Sequence, residues 1–343
     1  MRLLSFRGSS TSFRAFIVAL AWLGVISALH AWVNGDKSAS GKIFMGYMPV
    51  ISNLAAPLVD ATTAGSSVHF EAMKFGSFAE LAEAFQAGHI QAAFIIAPLA
   101  VALSAKGVLL KIVYIGNRHE STLVVRRDLA ATSLAQMSGR TIAVPIRFSG
   151  HLLALKRYLR EHAMDPDSFR IVEIPPPDMP SALLSGGIDG YFVGEPFACK
   201  AIHSGVGRRL LDVEQIWPGF ICNVLIVRDD LIGLHPDWVS DLVARCIQSG
   251  TWVRENFEEV LGVLSRSWGQ DPAFLRYVFA NPPGRFRYDL GMPVQGELEE
   301  LVREMEMAGF LASSVDVRVF MDDRFSRAAI DTLKEHSLGL SKK

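Results

Sequence analysis

From Lys42 onward, short β-branched runs alternate with longer stretches in which apolar residues recur every three or four positions. The first pattern suits strands, whose faces repeat every two residues, and the second suits amphipathic helices. It predicts strands at Ile43–Tyr47, His69–Lys74, Ala92–Ile96, Lys111–Gly116, Thr122–Arg126, Thr141–Val144, Ile171–Ile174, Gly190–Val193 and Val224–Arg228. Helices are predicted at Phe78–Ala87, Ala97–Ala105, Gly150–His162, Met179–Ser185 and Pro196–Ser204. Ser77 with Glu80 forms a capping box before an apolar run, and Gly88 and Gly107 fit helix stops. After Asp229 the chain reads as helical, with one long helix over Val239–Arg266 and a charged one over Val294–Ala308. Strands alternating with helices define an α/β fold.

One internal echo organises this pattern. Residues 122–128 read TLVVRRD and residues 224–230 read VLIVRDD. They bracket about a hundred residues that themselves read as βαβαβα. If the two echoed strands are neighbours in one sheet, the bracketed unit is a second lobe joined by two crossings, and two crossings without a rigid third contact make a hinge. The expected division is a signal peptide at 1–31, a discontinuous first lobe at 42–126 and 224–343, and a second lobe at 127–223.

Composition narrows the class. Half of the 343 residues are hydrophobic, the formal charge is −1, and no basic block exists, so no nucleic-acid footprint is present. Arg2, Arg7 and Arg14 precede an apolar run, residues 15–29, that is short for a membrane span and normal for a secretory signal. The alternative is an uncleaved N-terminal membrane anchor. Removal of residues 1–31 takes away three Arg and leaves 31 basic against 35 acidic residues, a net of −4. The first cysteine is Cys199, which argues against a lipid-modified N-terminus. Cys199, Cys222 and Cys246 are too widely spaced for a metal site and are expected as buried thiols, with a single Cys199–Cys222 bridge left open. No cofactor and no metal are expected.

In open α/β sheets, ligands gather at the carboxyl ends of strands, where helix N-termini present free N–H groups. Four such joints carry chemistry. Tyr47 ends the first strand and offers a ring or hydroxyl, or ordinary packing. Ser77 opens a helix as cap or secondary contact. Ser149 and His151 bring a hydroxyl, an imidazole and helix N–H groups together, as an anion receptor or as a simple cap. Glu195, before Pro196, suits an amine or hydroxyl, or a structural arginine. No G-x-S-x-G, H-E-x-x-H, G-x-x-x-x-G-K or G-x-G-x-x-G motif accompanies them, which lowers the odds of an enzyme.

These joints resemble the nitrate/sulfonate/taurine-type family of periplasmic binding proteins, and most of all its nitrate- and bicarbonate-binding branch. The resemblance runs from Lys42 to Leu311. It is carried by GYMP (46–49), KFGSFAELAEAFQAGHIQAAF (74–94), AVPIRFSGHLLALKRYL (143–159), PPPDMPSALLSGGIDGYFVGEPF (175–197) and IWP (216–218). It implies a type II periplasmic binding protein with two α/β lobes and a two-stranded hinge. It further implies a monomeric periplasmic protein that captures a small anion or small organic solute for an ABC permease and ATPase. The implied ligand contacts fall on Tyr47, the Ala97–Pro98 joint, Ser149 and His151. Nitrate binders resembling this chain carry a Lys shortly after the I-W segment, where Asn223 or a neighbour stands here. A ligand-sensing protein that reports to a receptor has the same lobes. An enzyme on this scaffold, the iron-dependent pyrimidine synthase of thiamine biosynthesis, carries a cysteine-rich motif of which only Cys222 is present.

Overall fold

The computed structural model describes residues 17–27, 41–282, 284–288 and 291–340. Residues 17–27, inside the apolar N-terminal run, are helical and exposed, and the rest of the expected signal segment lies outside the described residues. Among the described residues no helix is long and apolar enough to cross a membrane.

Ten strands form two five-stranded sheets. They are β1 (Lys42–Tyr47), β2 (His69–Lys74), β3 (Ala92–Ile96), β4 (Leu110–Arg118), β5 (Ser121–Arg126), β6 (Thr141–Val144), β7 (Arg170–Glu173), β8 (Gly190–Gly194), β9 (Gly207–Asp212) and β10 (Ile221–Arg228). The first sheet has the order β2-β1-β3-β10-β4 and the second β7-β6-β8-β5-β9. Each is parallel except for one antiparallel strand, β10 between β3 and β4, and β5 between β8 and β9.

This arrangement corrects the reading of the echo. Thr122–Arg126 and Val224–Arg228 are not neighbours, because β5 pairs with β8 and β9 whereas β10 pairs with β3 and β4. They resemble each other because each fills the same place in its own sheet, a central antiparallel strand buried on both faces, where apolar residues recur without alternation. β5, assigned by the echo to the first lobe, therefore belongs to the second sheet.

The described residues hold two apolar clusters. One packs the outer face of the first sheet, including Met45, Tyr47, Phe94 and Leu225, against the helices Ala55–Thr63, Pro236–Glu255, Phe257–Trp268 and Pro272–Ala280. The other is continuous across both sheets, from Phe78, Ile95 and Ile226 to Leu123, Val144 and Phe192. Strands and helices before Asp229 lie close to expectation, with two omissions. The helix Ala55–Thr63 contains Pro57, which reads as a breaker but sits in the first turn, where no N–H is needed. The strand β9, GRRLLD, is half-buried at the sheet edge and carries a weak pattern. The expected long helix is two, divided at Asn256, where the backbone leaves the helical region at φ −132° and ψ 47°.

The C-terminal part supplies a third contact that the hinge reading excluded. The helix Gln295–Met307 packs on the helix Ala97–Ala105 of the first sheet and on the helix Gly150–Glu161 of the second. Arg157 donates to Glu300 at 2.6 Å, and Arg160 donates to Glu304 at 2.7 Å. Phe148 and Phe310 meet edge to face at 5.6 Å. Arg285 reaches further into the second sheet. It donates to Thr122 Oγ1 and to the Ser121 carbonyl, both at 2.7 Å, and to Glu214 at 3.1 Å.

Candidate functional site

The carboxyl ends of the parallel strands of both sheets meet at one place. Register explains which residues arrive there. Ile96, the last residue of β3, pairs with Asn223 near the start of β10, and Gly194, the last of β8, pairs with Ser121 at the start of β5. The two antiparallel strands thus begin where their parallel neighbours end. The chain crosses between sheets at His119–Glu120 and again through residues 213–220. These crossings are bonded together, since His119 N donates to the Phe220 carbonyl at 3.0 Å and Gly219 N donates to His119 Nε2 at 3.1 Å.

A small cavity of about 10 Å³, room for roughly one water, lies at this junction. Val50, Phe78 and Ile96 line it from the first sheet's side, and Pro145, His151, Pro176, Val193 and Gly194 from the second's. Glu120, Cys222 and Asn223 complete it from the crossings. The walls are largely apolar with a few polar groups, the usual make-up of a small-molecule site.

The polar groups form one chain. His151 Nε2 lies 2.9 Å from Ser121 Oγ, which lies 3.6 Å from Cys222 Sγ, and Cys222 Sγ donates to Glu120 Oε1 at 3.3 Å. Asn223 Nδ2 donates to Asn53 Oδ1 at 2.7 Å. Burial drives every shift here. It pushes the Glu120 carboxyl up to about 8, against the opposing Cys222 hydrogen bond and with help from the nearby Glu195. It pushes His151 down to about 3, so the imidazole is neutral, and pushes the Cys222 thiol well up. Backbone geometry holds Glu120 in place. His119 and Glu120 both take positive φ, at 67° and 58°, which is uncommon outside glycine. Opposite them, a Cβ on Gly194 would stand 2.5 Å from Glu120 Oε1, so only glycine leaves room for that carboxyl.

Of the residues expected from sequence, His151 and Asn223 line this cavity and the others do not. Tyr47 is buried in the outer core of the first sheet, because position 47 alternates with Gly46 onto the face away from the cavity. Ser77 caps the helix Phe78–Gln86 by accepting from Glu80 N, and it is the next residue, Phe78, that reaches the cavity. Pro98 is buried in the first turn of its helix, two residues past the lining Ile96. Ser149 accepts from Leu152 N as the cap of the helix Gly150–Glu161 and thereby aims His151. Ser149→Ala is expected to cost about 1 kcal/mol in a urea denaturation, as for other lost caps.

Glu195 is fully buried beside the cavity, where its Oε2 accepts from Cys199 N at 2.7 Å. Its Oε1 stands 4.0 Å from Arg285, and burial raises the carboxyl to about 7. Its backbone carbonyl accepts from Ile51 N at 2.8 Å, a direct link between the two sheets' loops. All three cysteines are free and buried, so the Cys199–Cys222 bridge left open by the sequence is not formed. No group of three His, Cys, Asp or Glu suited to a metal ion exists among the described residues.

Sequence reasoning missed Glu120 and Cys222 as lining residues. Their signal was present in the echo. Aligned on TLVVR and VLIVR, Glu120-Ser121 corresponds to Cys222-Asn223, the two residues just before the echoed segment at the start of each antiparallel strand.

The likenesses to known proteins agree with this geometry. Over 194 residues the chain is 30% identical to the taurine-binding periplasmic protein of Escherichia coli, covering 55% of this chain and 58% of that protein. Over 120 residues it is 32% identical to the bicarbonate transport ATP-binding protein CmpC of Synechococcus elongatus, covering 34% of this chain and 18% of that protein. The chain therefore spans less than two thirds of either relative's length. Among solved structures, the periplasmic nitrate-binding protein NrtA of Synechocystis PCC 6803 superposes with a TM-score of 0.76. That match has 17% identity and covers 85% of this chain and 89% of the other. The alkanesulfonate-binding protein SsuA of Xanthomonas axonopodis follows with a TM-score of 0.71 and 16% identity, covering 82% and 98%. The fold is that of the periplasmic binding proteins. The NMT1-like family model matches residues 36–262, well over half of the sequence, and the chain belongs to that family.

Proposed function

We propose that the protein is the periplasmic solute-binding component of an ABC-type importer, which holds a small solute between two lobes and delivers it to a membrane permease and ATPase. The first lobe comprises the sheet of β1–β4 and β10 with the C-terminal helices, and the second the sheet of β5–β9. The observation that carries this reading is the cavity at the junction, walled from both sheets and closed by the two crossings. A solute touching both walls stabilises the shut arrangement by its differential affinity for it. The reading is one of binding and not of catalysis. The relatives named for taurine binding and bicarbonate transport, and the nitrate- and sulfonate-binding structures of the same fold, support it.

Opening cannot be a free swing about two crossings, because the helix Gln295–Met307 and Arg285 also touch the second sheet. Closure then carries the C-terminal contacts with it or breaks part-buried ion pairs such as Arg157–Glu300 and Arg160–Glu304. A thermal-shift screen of nitrate, bicarbonate, taurine, alkanesulfonates and small amines tests the reading. A solute present at 100 times its dissociation constant is expected to add ~2.7 kcal/mol and raise the midpoint by a few degrees. A flat response to every small solute would sink it.

A further inference from the structure

We propose that the cleft selects a solute carrying a protonated nitrogen, an ammonium or amidinium group, with the Glu120 carboxylate as its counter-ion, and that it rejects free oxyanions. This rests on the solute-binding reading above and names the ligand class for the same cavity.

The charges come first. No Lys or Arg lines the cavity, and among its lining residues the acid is Glu120. His151 supplies no positive charge, since burial keeps it neutral. The guanidinium that faces Glu120 is that of Arg285, and it is already engaged by Asp212 at 3.1 Å and Glu214 at 3.1 Å. An oxyanion in the cavity would meet a carboxyl group and no available cation. The N-terminus of the helix Gly150–Glu161, the other candidate anion receptor, is covered at Gly150 by Phe220, whose ring a Cβ there would meet at 2.7 Å.

The direction of the hydrogen bonds agrees. The Cys222 thiol has one hydrogen and gives it to Glu120. Its sulfur is then left to accept from the Ser121 hydroxyl, whose oxygen accepts in turn from His151 Nε2–H. That tautomer makes Nδ1 of His151 a bare acceptor, and Nδ1 has no partner although the residue is only 2% exposed. Asn223 gives one of its two amide N–H groups to Asn53, and its oxygen, 3.8 Å from the Cys222 sulfur, keeps room to accept. His151 Nδ1 therefore presents an unpartnered acceptor, and Glu120 becomes a second once its proton is displaced, so a ligand with N–H donors completes them.

Isothermal titration of the purified protein decides the matter. The probes are methylammonium, ethanolamine and acetamidine on one side, and nitrate, bicarbonate and methanesulfonate on the other. Binding is expected from the nitrogen cations alone, weakened roughly 10–100-fold in Glu120→Gln, which keeps the shape but not the charge. The groups facing Glu120 are Cys222, Ser52, Glu195 and Arg285. With Glu120 raised to about 8, a cation must displace its proton, so cation affinity is expected to rise roughly tenfold from pH 6 to pH 7. Oxyanion affinity would hold nearly level over that range and fall only as pH passes about 8. Binding of an oxyanion and of no cation overturns the proposal, as does a cation held equally by the parent and by Glu120→Gln. Silence from both classes overturns the solute-binding reading itself.

Discussion

Arg285→Met is expected to lower stability by about 3–5 kcal/mol in urea denaturation at pH 7, the size seen when one partner of a buried ion pair is removed. Met retains much of the arginine's apolar length, so the loss is electrostatic. Arg285 is 8% exposed and joins the C-terminal segment to the Ser121 carbonyl, Thr122, Asp212 and Glu214, with Glu195 at 4.0 Å. Asp212 keeps Arg209, which holds it at 2.6 Å, whereas Glu195 keeps only backbone and thiol partners. Arg285→Lys is expected to recover only part of the loss, because one ammonium cannot span this fan of acceptors as a planar fork does. A loss under 1 kcal/mol would show that the C-terminal segment is held by packing alone.

Glu120→Gln is expected to make the protein more stable at pH 8 and to leave it unchanged near pH 4.5. The Glu120 carboxyl has an ordinary value of 4.5, and burial raises it to about 8 in the fold. Between those values the folded state binds the proton more tightly than the unfolded chain does. Stability therefore falls as pH rises from about 4.5 and levels off above about 8. The accumulated penalty is on the order of a few kcal/mol. Glu195, raised to about 7, adds a penalty of the same sign over a narrower window. Gln removes the Glu120 share, so urea midpoints of parent and variant should coincide at low pH and separate as pH rises. Parallel curves across the whole range would show that folding leaves the Glu120 carboxyl at its ordinary value.

How much of this was legible in the sequence follows from where each signal originates. Strands such as Ala92–Ile96 and helices such as Phe78–Gln86 declare themselves through period and caps, which are local properties. His151 was legible because a cap, Ser149, fixes the direction of a helix start just after a strand. Asn223 was reached through the resemblance. Tyr47 failed for a reason that spacing cannot supply, namely which face of β1 turns toward the cavity. Glu195 is a buried partner of Arg285, 90 residues further along, and nothing local announces that pairing. Glu120 lies between two strands at positive φ without glycine, a conformation that sequence patterns do not advertise. The echo of TLVVR in VLIVR reflects equal environments in two sheets, which produce the same motif as adjacency in one.

The placement of β10 between β3 and β4 has a consequence for biogenesis. The second sheet is built from one uninterrupted stretch, β5 to β9, and its partners are all present once residue 212 has left the ribosome. The first sheet has an empty central berth until residues 221–228 emerge, so its earlier four strands wait, half assembled, for the younger sheet to be made.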